Sequence, residues 1–156
     1  MTTTQLIHRA VLYPQPTAEC KATLRPERIA GWLPAACAAI REYLCARSVT
    51  PAGPPFARRT VEGDKVTIEA GYPVREPIAG DSYIRPSSLP QCSAAIAVHH
   101  GGQESVGQTY GAVRDWLAIN GYAENGSAWE VYLADPTEHS DPDTWHTEVV
   151  VPYRVP

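Results

Sequence analysis

Leu33 to Phe56 reads LPAACAAIREYLCARSVTPAGPPF, and Val106 to Trp129 reads VGQTYGAVRDWLAINGYAENGSAW. Laid over one another at a spacing of 73 residues, Leu33, Cys37, Ile40 and Leu44 fall on Val106, Tyr110, Val113 and Leu117. Gly53 then falls on Gly126 and Phe56 on Trp129. Further on, a longer second hairpin loop (Asp135 to Thr144) widens the spacing to 79, which places Glu69 and Pro73 on Glu148 and Pro152. Matches that keep their order through a helix, a turn and a strand mark an internal duplication rather than chance.

The local pattern says what is duplicated. From Leu24 to Arg47, apolar side chains recur every three or four residues at Ile29, Trp32, Leu33, Ala36, Cys37, Ile40, Tyr43 and Leu44, one buried face of a helix. Pro26 suits the first turn, whereas Pro34 predicts a kink or a fresh start near Leu33. Glu104 to Ile119 repeats the spacing, ended by Asn120 and Gly121 as a left-handed cap. Alternation and β-branched content predict strands at Leu6 to Tyr13, Cys20 to Leu24, Phe56 to Val61, Val66 to Val74, Ser93 to His100, Trp129 to Ala134 and Thr147 to Val155. Glu62-Gly63-Asp64 is a compact hairpin turn, and Arg75 to Pro90 reads as a linker.

Each half is therefore strand, helix, strand, strand, with the first half at about 5–75, the linker at about 76–90 and the second half at about 91–156. A unit of that size has one helix to cover its sheet, so two units side by side make a single α+β domain. The expected architecture is one antiparallel sheet with both helices on one face and a central ligand groove between them, floored by the repeated strands.

Composition bounds the function. The 156 residues carry 44% apolar and 19% charged side chains, including 4 Trp and 8 Tyr, which is a folding chain and not a disordered one. Fifteen Pro favour short elements. The formal charge is −4 and no basic run exceeds Arg58-Arg59, which argues against nucleic acid as a partner. No apolar run approaches the 18 or so residues of a membrane span, and Met1 to Gln5 has no leader character, so a cytoplasmic protein without a membrane partner is expected. Cys20, Cys37, Cys45 and Cys92 show no C-x-x-C spacing, which leaves reduced thiols and no zinc ribbon.

Glu148 stands out within Trp145-His146-Thr147-Glu148-Val149-Val150-Val151-Pro152. A carboxylate in a strand otherwise apolar and β-branched is costly to bury unless partnered, which makes it a structural ion pair, a receptor for a cationic ligand, or an edge residue turned to water. Glu69, the equivalent position, has less apolar neighbours and is expected to be exposed. Trp32, Phe56, Tyr72, Tyr110, Trp129 and Tyr132 supply rings at equivalent or nearby places, Tyr132 lying two residues beyond Glu130 on its strand. Several rings around one carboxylate suit a flat, lipophilic cation held by stacking, burial and charge, with little directionality and so broad specificity.

Four segments resemble the GyrI-like small-molecule-binding domain, which is also the effector-binding domain of AraC-type and multidrug-responsive activators. They are Thr50-Pro51-Ala52-Gly53-Pro54-Pro55-Phe56-Ala57-Arg58, Ala97-Val98-His99-His100-Gly101, Trp129-Glu130-Val131-Tyr132-Leu133-Ala134-Asp135-Pro136 and Thr147-Glu148-Val149-Val150-Val151-Pro152. The resemblance runs from about Leu6 to the end. It implies a duplicated fold whose acidic residue, matched here to Glu148, meets cationic drugs or dyes. After the His the family usually has Gly-Pro-Tyr, whereas this chain has Gly101-Gly102-Gln103.

With both halves using the whole chain, a stand-alone binder without a DNA-binding domain is expected, needing no cofactor. Some stand-alone relatives are hydrolases that open cyclopropane-bearing DNA alkylators; in that reading Glu148 helps activate water and Tyr110 or Tyr132 polarises the substrate. A third reading is a protein-binding module like the gyrase inhibitor that gives the family its name. No metal is expected. Asp135, Glu138, His139, Asp141 and Asp143 lack a ligand spacing and read as solvated turn residues. His99 and His100, one on each face, read as strand-end polar residues with no nucleophile elbow nearby.

Overall fold

The computed structural model describes residues 6–101, 105–133 and 146–156. The chain forms β1 (Ile7–Leu12), β2 (Gln15–Leu24), a short 3-10 turn (Pro26–Arg28), α1 (Ile29–Ala46), β3 (Phe56–Glu62), β4 (Lys65–Pro73), β5 (Arg85–Leu89), β6 (Cys92–His100), α2 (Val106–Ile119), β7 (Ala123–Glu124), β8 (Trp129–Tyr132) and β9 (His146–Arg154). All strands belong to one antiparallel sheet in the order β1-β6-β9-β8-β3-β4-β2-β5, with β7 added against β9.

The duplication is visible in that order. One half contributes β2, β4 and β3, the other β6, β9 and β8, and the halves meet where β3 pairs with β8 through Phe56 opposite Val131 and Arg58 opposite Trp129. The central strands are thus the two that begin with the repeated aromatic.

Three features differ from the sequence reading. The segment read as linker contains a strand, β5; its Pro86 and serines lack the apolar alternation by which a strand is recognised, because it is an edge strand with four of its five residues exposed. The strand read from Cys20 starts at Gln15 instead, its early residues being polar yet buried. Helix α1 runs through Pro34 without a break. Pro34 sits in its second turn, so only one early backbone bond is lost, and the fresh start comes at the 3-10 turn before Ile29.

The two leading strands are exchanged. β1 precedes β2 but pairs with β6 of the other half, and β5 precedes β6 but pairs with β2. The connectors are two residues each, Tyr13-Pro14 and Pro90-Gln91, with a proline that fixes the turn.

Both helices pack on one face. Ile29, Leu33, Cys37, Ile40 and Leu44 of α1 bury against Ala18, Cys20, Ile68, Ala70 and Tyr72. Val106, Val113 and Leu117 of α2 bury against Ala95, Ala97, Val149 and Val151. Phe56, Ile96, Trp129 and Val150 form a third cluster on the opposite face. Gly63, at φ 65°, closes the β3–β4 hairpin, and Gly121, at φ 74°, ends α2 as its sequence requires.

Candidate functional site

The seam between the halves carries a cavity on each face of the sheet. On the helix side, a cavity of about 500 Å³ is floored by Ala57 and Arg59 of β3, Glu130 of β8 and Val151 of β9, and walled by Val106, Tyr110 and Arg114 of α2. Strand pleating explains the floor: alternate residues of β8 face one side, so Glu130 and Tyr132 point to the helices while Trp129 and Val131 point away.

Glu130 is only 2% exposed. A buried carboxylate needs donors, and two groups supply them. The Tyr132 hydroxyl donates to Glu130 Oε2 at 2.8 Å, and Arg59 Nη2 stands 3.4 Å from the same oxygen. Burial, and after it the Glu130 charge, hold the phenols of Tyr110 and Tyr132 far above their ordinary ionisation range, so both stay protonated donors. At the rim, Arg114 Nε donates to Glu124 Oε1 at 2.9 Å, and Arg114 Cζ lies 5.5 Å from the centre of the Tyr110 ring. The arrangement is a deep acid bound by the buried Tyr132 phenol, with Tyr110, Arg59 and Arg114 along the cavity wall, about a third of the Arg59 side chain being exposed.

The opposite face carries an apolar trough of about 380 Å³ that crosses the same seam. Its walls are Phe56, Ile96, Trp129, Val131 and Val150, and the two exchanged connectors, with Tyr13 and Pro14 on one side and Pro90 on the other, form its rim. Glu148 lines it, half-buried, because Val149 and Val151 face α2 and the intervening position must face away.

The residues singled out in the sequence therefore do not meet in one groove. Glu148, Phe56 and Trp129 share the trough. Tyr110 lines the helix-side cavity, while Tyr132, 2% exposed, lies in the core beneath α1 and reaches the cavity only through its hydroxyl on Glu130. Tyr72, 3% exposed, and Trp32, half-buried, belong to the core beneath α1 and line neither. Glu69 is not freely exposed either: Arg58 Nη2 pairs with it at 2.7 Å, and although burial acts to raise its pKa, Arg58 brings it below the ordinary value. Beside it Glu19, 4% exposed, accepts a hydrogen bond from the Thr17 hydroxyl at 2.6 Å, and burial pushes its pKa up to about 7.

Glu130 and Arg59 are the site residues that the sequence reading passed over. The signal was present in Trp129-Glu130-Val131-Tyr132, where an acid and a phenol two residues apart share one pleat face, but strand facing was needed to use it.

The two histidines do separate by face. His99 is buried, with Nδ1 2.8 Å from the Thr109 hydroxyl and Nε2 3.0 Å from that of Ser105. His100 lies opposite His146, their Nδ1 atoms 2.7 Å apart. Among the described residues no group of three or more metal-ligating side chains occurs. Asp135, Glu138, His139, Asp141, Asp143, Gly102 and Gln103 lie outside the described residues. Burial pushes the Cys20 thiol up to about 11, the reverse of what a nucleophile requires. No helix among the described residues is long and apolar enough to cross a membrane.

A duplicated strand-helix-strand-strand sheet with two same-face helices and a cavity at the seam defines a class of small-molecule-binding domain. Residues 27–154 match the GyrI-like small molecule binding domain, and the chain belongs to that family. The C-terminal domain of EcmrR is similar in fold, with a TM-score of 0.83 at 16% identity over 97% of this chain and 99% of that one. In an EcmrR–DNA complex the similarity has the same TM-score at 17% identity, and the chain spans 57% of the EcmrR length. A hydrolase from Listeria innocua superposes with a TM-score of 0.69 at 10% identity, over 95% of this chain and 91% of that one. SAV2435 bound to tetraphenylphosphonium superposes with a TM-score of 0.60 at 13% identity, over 96% and 94%. No curated protein matches the chain.

Proposed function

We propose that the chain binds lipophilic, aromatic, cationic small molecules with broad specificity in the helix-side cavity, with Glu130 receiving the positive charge. The observation that carries this reading is a carboxylate 2% exposed at the floor of a cavity of about 500 Å³. A buried acid gains most from a cation that arrives desolvated, since the low local dielectric strengthens the pairing. Tyr110 supplies a ring wall, and Val106 and Val151 supply apolar surface.

Arg59 is the resident counter-ion. At 3.4 Å its contact with Glu130 is longer than a tight charge-assisted bond, and its partly exposed side chain can swing toward solvent as a ligand enters. The similarity to SAV2435, whose structure holds a bulky lipophilic cation, supports the same class of ligand.

The test is a titration with ethidium or rhodamine followed by fluorescence. Wild type binds, and Glu130→Gln weakens binding at least tenfold. Unchanged affinity in that variant removes Glu130 from the reading.

A second reading, hydrolysis of cyclopropane-bearing electrophiles, is favoured by the 2.8 Å contact between the Tyr132 phenol and Glu130. Glu130 would take a proton from water as its oxygen bonds to a ring carbon. The breaking carbon–carbon pair would move into a conjugated carbonyl that a phenol protonates. Mass spectrometry of such a substrate incubated with the protein would show a water adduct, absent with Glu130→Gln.

A further inference from the structure

We infer that the corner at the C-terminal end of α1 is a site for a planar aromatic carboxylate, with Arg75 as the anion's partner and the stacked Arg47–Tyr43 pair as its platform. This corner shares no lining residue with the Glu130 cavity, and the inference does not depend on the reading given to Glu130.

The internal duplication supplies the comparison. Both halves build the same corner with the same backbone hydrogen bonds. Val49 N–H donates to the Leu44 carbonyl and Tyr122 N–H to that of Leu117, each at 2.9 Å. Ala52 N–H donates to the Pro73 carbonyl at 2.8 Å and Asn125 N–H to that of Pro152 at 2.9 Å. What fills the corner differs. In the second half Trp116, Tyr122 and Tyr153 pack it with rings, Tyr122 stacked on Tyr153 with centroids 4.6 Å apart and Trp116 5.9 Å from Tyr122. Their counterparts in the first half are Tyr43, Val49 and Val74, so two of the three rings are missing. A cavity of about 610 Å³ opens there, lined by Tyr43, Arg47, Ser48, Val49, Arg75 and Glu76 among others. The fold thus accepts stacked rings at this corner, and in one copy the chain does not supply them.

The polar groups set the charge of the missing ring. Arg47 Cζ lies 3.6 Å from the centre of the Tyr43 ring, and Arg47 Nη1 donates to the Tyr43 carbonyl at 3.2 Å. A guanidinium held on a ring is a cationic surface on which an aromatic acid stacks. Arg75 is exposed and has no ion-pair or hydrogen-bond partner among the described residues, so its planar fork is open to a carboxylate. Two arginines face one lining acid, Glu76. Asp81, which also feels Arg47, is occupied by the amides of Ile84 and Tyr83 at 2.7 and 2.8 Å. The carbonyl end of a helix disfavours an anion, but here Leu44 and Cys45 accept from Val49 and Ser48, and Tyr43 from Arg47. Ser48 itself holds a left-handed backbone, φ 56°, where its counterpart is Gly121 at φ 74°. A β-carbon makes that conformation costly, so a serine standing where glycine would serve points to a use for its hydroxyl beside the cavity.

The experiment titrates 2-naphthoate and its neutral counterpart 2-naphthamide into the full chain by calorimetry. The acid is expected to bind about tenfold more tightly than the amide, and Arg75→Gln to remove that preference. Val49→Tyr restores the ring that the second half carries, and is expected to weaken both compounds at least tenfold. Arg75 is exposed and unpartnered among the described residues, so its variant folds and its result stands even if Val49→Tyr is unstable. Nuclear magnetic resonance should show the methyl groups of Val49 and Ile78 shifting with naphthoate while those of Val106 and Val151 stay still. Absence of naphthoate binding to wild type overturns the site, as does equal affinity for acid and amide, or a preference that survives Arg75→Gln. Unchanged affinity in a folded Val49→Tyr also overturns it. So do shifts at Val106 and Val151, which would place the acid beside Arg59 and Arg114 in the other cavity.

Discussion

Glu130 and Glu148 stand on neighbouring strands one residue out of register, Glu130 opposite Val149 and Glu148 opposite Val131, and so face opposite sides of one sheet. A single step of the pleat separates an acid enclosed with an arginine and two phenols from an acid beside a tryptophan and a phenylalanine. The two differ in cost as well as in place. Glu130 depends on its partners to remain buried, whereas Glu148 keeps some water.

Removing the resident cation should favour a foreign one. Arg59→Met keeps the apolar stem but leaves Glu130 without its counter-ion, so affinity for a cationic dye should rise about tenfold while thermal stability falls by about 1–3 kcal/mol. A loss of dye affinity, measured by the same fluorescence titration, would mean that Arg59 helps hold the ligand.

The Tyr132 phenol donates to Glu130 Oε2 at 2.8 Å from a fully enclosed position. Tyr132→Phe preserves the ring packing beneath α1 and deletes that donor. Chemical denaturation should register a loss of about 1–3 kcal/mol, and an unchanged midpoint would show that Arg59 and Tyr110 satisfy the acid without it.

Glu19 should impose a pH dependence on stability. Its pKa is raised from the ordinary 4.5 to about 7 in the fold, chiefly by burial, so the native state holds a proton that the unfolded chain has released between those values. Its contribution is complete below about 4.5 and is lost as pH rises through about 7, on the order of 3 kcal/mol. Comparing denaturation at pH 5 and pH 8 in wild type and Glu19→Gln checks this: the variant should lose most of the difference.

Gly71 is required by close approach. A Cβ there would lie 2.8 Å from Glu19 Cγ and from Phe56 Cζ, and 2.9 Å from the Ala18 carbonyl oxygen, which is backbone and cannot turn aside. Gly71→Ala should therefore destabilise by about 1–3 kcal/mol, read from the thermal midpoint, and should disturb Phe56 at the edge of the trough.

Much of this protein was legible in its order of residues. Helical spacing at Leu33, Cys37, Ile40 and Leu44 and its recurrence 73 residues later foretold two equivalent units, both helices on one face, and the seam as the place for a cavity. Those features rest on periodicity, which is local and survives in sequence. The β5 strand did not survive there, because an exposed edge strand has no apolar side to alternate with.

What only the tertiary structure decided is facing and exchange. Whether Glu148 looks toward the helices or away depends on which parity of β9 the α2 side chains cover, and a run such as Val149-Val150-Val151, apolar on both faces, carries no sign of it. The crossing of β1 and β5 between halves is likewise a choice between edges equally ready to pair. Hydrophobic pattern set how many layers there are; contacts between distant strands settled which acid lies in which cavity.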